Sequence, residues 1–196
     1  IQDELFSLRE DSFVAACREF GRLGIRWRFM TRADTIDRKM IHAALDAGCF
    51  EMCIGIESGS QKILNILNKK TTVQDNARVL DLAQTEGLRT MAYLISASPG
   101  EDDQTIDETI AFLKAHPADG YGLMIYTPFP GTAVWNDPEK YGFVLPRDYG
   151  QYQYLNRQGT GISLHRDRKR AIQLHNRLFE FVKSASSFVR KDRVVV

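Results

Sequence analysis

GCFEMCIGIESGSQKIL, residues 48–64, is the stretch that decides the fold. Gly48 closes a helical pattern. Glu51 to Glu57 (EMCIGIE) is an apolar run of strand length, Ser58-Gly59-Ser60 is a turn, and Ile63, Leu64 and Leu67 resume helical spacing. The same order recurs on both sides. Upstream, Ile1 to Phe6 reads as the end of a strand. Asp11 or Ser12 then caps a helix with Phe13, Ala16, Cys17, Phe20 and Leu23 on one face, closed by Gly24. Ile25 to Thr31 (IRWRFMT) is the next strand, and Asp37 caps a helix burying Met40, Ile41, Ala44 and Leu45. Downstream, Thr72 caps a helix closed by Gly87, and Leu88 to Ala97 (LRTMAYLISA) is a strand. Thr105 and Glu108 have capping-box spacing, and Tyr121 to Thr127 (YGLMIYT) is the last strand. Strand–helix alternation of this kind predicts βαβ units on a parallel sheet.

The pattern breaks after Thr127. Four prolines (Pro128, Pro130, Pro138, Pro146) fall in a stretch that reads as irregular, and Arg166 to Val189 reads as a final helix. The predicted division is therefore a regular strand–helix unit at 1–135 and an irregular segment with a C-terminal helix at 136–196. The 196 residues suffice for one ordinary domain, and the net charge of +1 argues against a polyelectrolyte binder. From His165 onward, nine Lys/Arg face three Asp/Glu, a net +6, while the remainder carries −5. A basic helix docked on an acidic body is the favoured reading, so nucleic acid is not the expected partner. No apolar run is long enough to cross a membrane, and three cysteines without a secretory pattern point to the cytoplasm.

Parallel βα arrays place functional groups at the carboxyl ends of their strands. Those ends supply Asp3 and Glu4, Arg32, Glu57 and Ser58, Ser96 to Glu101, and Tyr126 with Thr127. They come from five separate strands and are mostly polar, whereas the strand bodies are apolar. Small residues in Gly55-Ile56-Glu57-Ser58-Gly59-Ser60 allow close backbone approach, either to a ligand or within a plain capped turn. His42, His116, His165 and His175 are scattered without metal spacing and read as structural or solvated. Tyr149, Tyr152 and Tyr154 read as a surface loop.

The ordered set TRADTID (31–37), GIESGSQKIL (55–64), LNKKTT (67–72), SPGEDDQTIDET (98–109) and TPFPGT (127–132) resembles radical S-adenosylmethionine (SAM) enzymes. The branch it most resembles joins a cobalamin-binding domain to the barrel, as in anaerobic magnesium-protoporphyrin cyclases. The resemblance covers about residues 1–135 and implies a partial (β/α)6 TIM-like barrel lacking its first strand, with a helical C-terminal extension. It implies cofactor-binding roles: Asp3 or Glu4 near the methionyl amino group, Glu57 at the ribose, Lys69 on the SAM carboxylate and Ile95 at adenine, with Arg32, Ser58 and Ser96 at the strand ends counted among the cofactor-binding residues. Pro99-Gly100-Glu101 matches the family's Gly-x-Pro-Gly-Glu turn, with Ala97 in place of the usual glycine.

The family holds a [4Fe–4S] cluster on C-x3-C-x2-C. Cys49 and Cys53 have the first spacing, but Ile56 occupies the third position, so these cysteines read as core residues and the cluster ligands are expected upstream of residue 1. The resemblance implies a small-molecule substrate, a reductant such as flavodoxin or ferredoxin, and cleavage of SAM to a 5′-deoxyadenosyl radical or methyl relay through cobalamin. Two other readings stand beside it: an RNA-modifying methylthiotransferase, and a non-catalytic nucleoside-binding scaffold.

Overall fold

The computed structural model describes residues 5–145 and 164–185. Four parallel strands lie side by side in chain order: β1 (Trp27–Thr31), β2 (Cys49–Glu57), β3 (Thr90–Ser96) and β4 (Gly120–Ile125). The helices are α1 (Glu10–Leu23), α2 (Arg38–Asp46), α3 (Gln61–Ile66), α4 (Val73–Glu86), α5 (Asp103–Ala115), α6 (Ala133–Asn136) and α7 (Arg168–Ala185). The chain is thus an α/β protein on a parallel sheet, as the alternation predicts.

Local chemistry sets most boundaries. Asp37 caps α2 by accepting from Met40 N. Thr72 caps α4 in a reciprocal box with Asp75, and Gly24 and Gly87 close α1 and α4 in the left-handed conformation. Three expectations shift. Leu5 and Phe6 form a turn, not a strand end, and Ile1–Glu4 lie outside the described residues. Helix α1 starts at Glu10 with no side-chain cap, and the box opening α5 is Asp102 with Thr105, because Glu108 is drawn to Ser60 instead. The irregular stretch also contains one short helix, α6, capped by Thr132.

One face of the sheet carries the core. Trp27, Phe29, Met52, Ile54, Ile56, Ala92, Leu94 and Leu123 pack with the buried stripes of α1, α2, α4 and α7. Phe6 leaves the predicted strand to join an aromatic cluster: its ring lies 5.3 Å from Phe13 and 5.9 Å from Trp27, fastening α1 onto β1. Strand alternation turns Met30, Cys53, Tyr93 and Met124 to the opposite face. Helix α7 docks beside α5 through Arg170 on Asp103 and Arg177 on both Asp103 and Asp107. Leu174, Leu178 and Val182 join the main core. The basic helix therefore spends two of its arginines on an acidic helix of the same chain.

Candidate functional site

The site starts at the tip of β2. The ladder with β3 is irregular between Gly55 and Glu57, and Glu57 has φ +61°, a conformation that costs a non-glycine residue free energy. Two contacts hold the turn: Ser58 N donates to Ile56 O at 2.8 Å, and buried Asn76 donates Nδ2 to Ile56 O at 3.1 Å. The Glu57 carboxylate is thereby turned upward, where it accepts from Lys69 Nζ at 2.6 Å. Both side chains are about 15% exposed (16% for Lys69, 15% for Glu57), so the pair is shielded but reachable. Gly55 lies beneath it; a Cβ there would sit 2.6 Å from Glu57 Oε1 and 2.9 Å from Lys69 Nζ.

Lys69 is presented by a strained loop. Asn68 and Lys70 have φ +52° and +66°. Arg32 Nη2 donates to Lys69 O at 2.8 Å while the same guanidinium grips Asp34 at 2.9 and 3.0 Å. That pairing holds the Asp34 carboxyl below its ordinary range and lifts the Arg32 guanidinium further. Arg32 therefore buttresses the loop that carries Lys69.

At the tip of β3, Ile95 faces the same space, and Ser96 points to the helical side. Ala97 follows at φ +55°, which explains why glycine is the easier residue at that position. The Glu101 carboxylate accepts from Ala97 N at 2.8 Å. Burial outweighs this bond and pushes the Glu101 carboxyl up to about 7. A raised folded value means the associated stability is complete below the unfolded value of 4.5 and is lost as pH rises through about 7. His165 and His175, which burial lowers, lose stability in the opposite direction, below pH 6.5. The histidine effect runs through their unfolded value of 6.5 and offsets the Glu101 loss, so the Glu101 part is read as a difference between proteins. Between pH 6.5 and 8, thermal melts should show wild type losing about 1 kcal/mol, or about 2–4 °C, relative to Glu101→Gln.

These tips enclose a cleft of about 700 Å³. Its polar end is Glu57, Asn68 and Lys69; its apolar walls include Ile95, Met124, Tyr126 and Tyr141. A charged end on an apolar trough suits a ligand with a polar, ionised part and a flat apolar part.

The expected residues divide sharply. Glu57, Lys69 and Ile95 share the cleft, and Arg32 stands behind it. Ser58 is buried away from it, bonded to Thr109 Oγ1 at 3.0 Å, and Ser96 is buried against His175. Asp3 and Glu4 lie outside the described residues, as do Tyr149, Tyr152 and Tyr154. Gly59 serves packing, since a Cβ there would meet Thr109 Cα at 2.7 Å and Phe112 Cβ at 2.6 Å. Sequence reasoning did not single out Asn68, Met124 or Tyr141. Asn68 lies within LNKKTT (67–72), whereas no motif marks Met124 or Tyr141, and the three meet only as walls of one cleft.

The cysteines do not make a cluster site. Cys17, Cys49 and Cys53 are buried, and burial pushes their thiols up to about 11, 12 and 11, away from the thiolate that iron requires. Among the described residues no group of three His, Cys, Asp or Glu side chains is placed to hold a metal, and no helix is long and apolar enough to cross a membrane.

Fold and cleft together define an α/β protein with an open cleft at the carboxyl ends of parallel strands. The sequence profile of the radical SAM superfamily matches residues 2–113, and the chain belongs to that superfamily. It is 29% identical over 159 residues to the anaerobic magnesium-protoporphyrin IX monomethyl ester cyclase of Rubrivivax gelatinosus, covering 74% of this chain and 29% of that protein. The chain thus spans under a third of that relative's length. Among solved structures, the radical SAM methyltransferase TsrM of Kitasatospora setae, with cobalamin and a [4Fe–4S] cluster bound, has a TM-score of 0.62 at 19% identity, covering 74% of this chain and 31% of that one. Coproporphyrinogen III oxidase of Escherichia coli has a TM-score of 0.66 at 10% identity, covering 91% and 38%.

Proposed function

We propose that this chain is the SAM-binding portion of a radical SAM enzyme, and that the β2–β4 cleft holds the cofactor. The observation that carries this reading is the shielded Glu57–Lys69 pair at the charged end of an apolar trough. Lys69 pairs with the methionyl carboxylate, and Glu57 accepts from the ribose hydroxyls. Ile95 packs on adenine. Arg32 positions the Lys69 loop, and Ser58 and Ser96 act from beneath by fixing the strand tips. Asp3 or Glu4 completes the set at the methionyl amino group. Residues 1–135 then carry the cofactor-binding positions within a partial (β/α)6 barrel, and Tyr141, from the segment that follows, adds to the wall of the cleft.

SAM held here would supply, on accepting one electron from a reduced [4Fe–4S] cluster, methionine and a 5′-deoxyadenosyl radical, or in the cobalamin-using branch a methyl group. This chain's own residues bind, orient and shield the cofactor. Its three cysteines do not fit the cluster, so we assign the cluster ligands to protein outside these residues. The substrate is a small molecule, the electron donor a small redox protein such as flavodoxin or ferredoxin, and the location the cytoplasm, a reading supported by three buried cysteines that form no disulfide. An RNA substrate is less favoured because Arg170 and Arg177 are already engaged with Asp103 and Asp107.

Isothermal titration of the chain with SAM tests the reading. Saturable binding with a Kd between about 1 μM and 1 mM is expected. No heat and no protection of residues 55–69 at millimolar SAM would overturn it.

A further inference from the structure

We infer that His165 and His175 are positioning residues for the cofactor cleft, clamping the tip of β3 from the C-terminal segment. This rests on the cofactor reading above and extends it to residues beyond position 113, where the family match ends.

Ser96 Oγ lies 2.6 Å from His175 Nδ1 and 3.2 Å from Met124 O. A hydroxyl has one proton, and Met124 O can only accept, so that proton goes to Met124. His175 Nδ1 therefore carries hydrogen and donates to Ser96. Through one buried hydroxyl, α7 is tied to β3 and β4 at once, next to Ile95 and Met124, which both line the cleft.

The neighbouring residue is held still more fully. Ala97 has a left-handed backbone that persists only where its surroundings over-determine it. Its N–H is taken by Glu101, and its carbonyl accepts from His165 Nε2 at 3.0 Å. Its methyl packs with Ile125 and with Ala171 of α7. His165 is itself fixed: its ring lies 4.2 Å from that of Phe143, with which it forms an antiparallel bridge. Both bonds need an N–H at the named nitrogen, and burial of both rings favours the neutral imidazole, in which that N–H is one fixed tautomer. Two histidines separated by ten positions thus fix consecutive residues, 68 and 79 positions away in sequence.

The test uses paired variants of the chain. His175→Ala and His165→Ala remove each bond. His175→Asn keeps an N–H where Nδ1 was, and His165→Gln keeps one where Nε2 was. Ser96→Ala breaks the same link while leaving both histidines. Amide exchange across residues 94–101 and SAM affinity are measured together. We expect each alanine variant to speed exchange in that segment by about tenfold and to weaken SAM by roughly three- to tenfold, with β1 unchanged and the Asn and Gln variants near wild type. Unchanged exchange in 94–101, uniform acceleration across the whole sheet, or unaltered SAM affinity in all three alanine variants would overturn the proposal. If wild type fails to bind SAM yet shows the exchange pattern, the cofactor reading falls and the clamp on β3 stands. Should His175→Ala not fold, Ser96→Ala decides.

Discussion

Lys69→Met is expected to weaken SAM binding by about ten- to a hundredfold while leaving adenosine binding within about twofold, and Glu57→Ala is expected to weaken both ligands. The reasoning starts from the 2.6 Å pair. Without ligand, each side chain satisfies the other in a shielded position, so neither is free of charge compensation. A carboxylate arriving at Lys69 replaces one anionic partner by another, and ribose hydroxyls arriving at Glu57 donate to the oxygen that Lys69 releases. Removing Lys69 leaves Glu57 able to hold a ribose but leaves the ligand carboxylate without a cation. Removing Glu57 takes away the ribose acceptor, which both ligands need. Titration of the two ligands against the two variants and the double variant gives a complete cycle. Equal loss of both ligands in Lys69→Met would place the carboxylate elsewhere.

Gly59→Ala should lower stability by about 3 kcal/mol and the melting midpoint by about 6–12 °C. The added carbon would lie 2.7 Å from Thr109 Cα and 2.6 Å from Phe112 Cβ. These are atoms close to or in the backbone of α5, with no flexible end to swing aside. Any retreat of α5 also lengthens the Gly59 N to Thr109 Oγ1 bond, now 3.1 Å, and the Ser58–Thr109 bond. Gly87→Ala is the control: it has φ +76° but no atom within 4 Å of the new carbon, so it should cost only about 1 kcal/mol. Urea denaturation of both variants measures the contrast, and similar midpoints would show that α5 is not held at Gly59.

Much of the architecture was legible in the chain itself. Strands β1 to β4 fall on the predicted apolar runs because a half-buried strand needs only a few alternating or continuous apolar residues. Asp37, Thr72, Gly24 and Gly87 act at the boundaries where their local chemistry points. The α5 start was mispositioned because Asp102-x-x-Thr105 and Thr105-x-x-Glu108 overlap with the same spacing; only the approach of Ser60 to Glu108 decides between them. Phe6 departs from its expected strand for a similar reason. An apolar residue beside a run reads as strand until an aromatic cluster elsewhere claims it.

The sequence by itself determined the alternation of strand and helix, the caps, the carboxyl-end positions of Glu57 and Ile95, and the place of Lys69 in its motif, because each depends on contacts within a few residues or on a motif in register. The tertiary structure decided the rest. It turned Ser58 and Ser96 away from the cleft, made Arg32 a support for the Lys69 loop, assigned Gly59 to packing, and brought His165 and His175 to Ser96 and Ala97. Hydrogen bonds spanning 68 and 79 residues leave no periodic trace in a sequence. They exist only once α7 has buried its apolar stripe against β3 and β4.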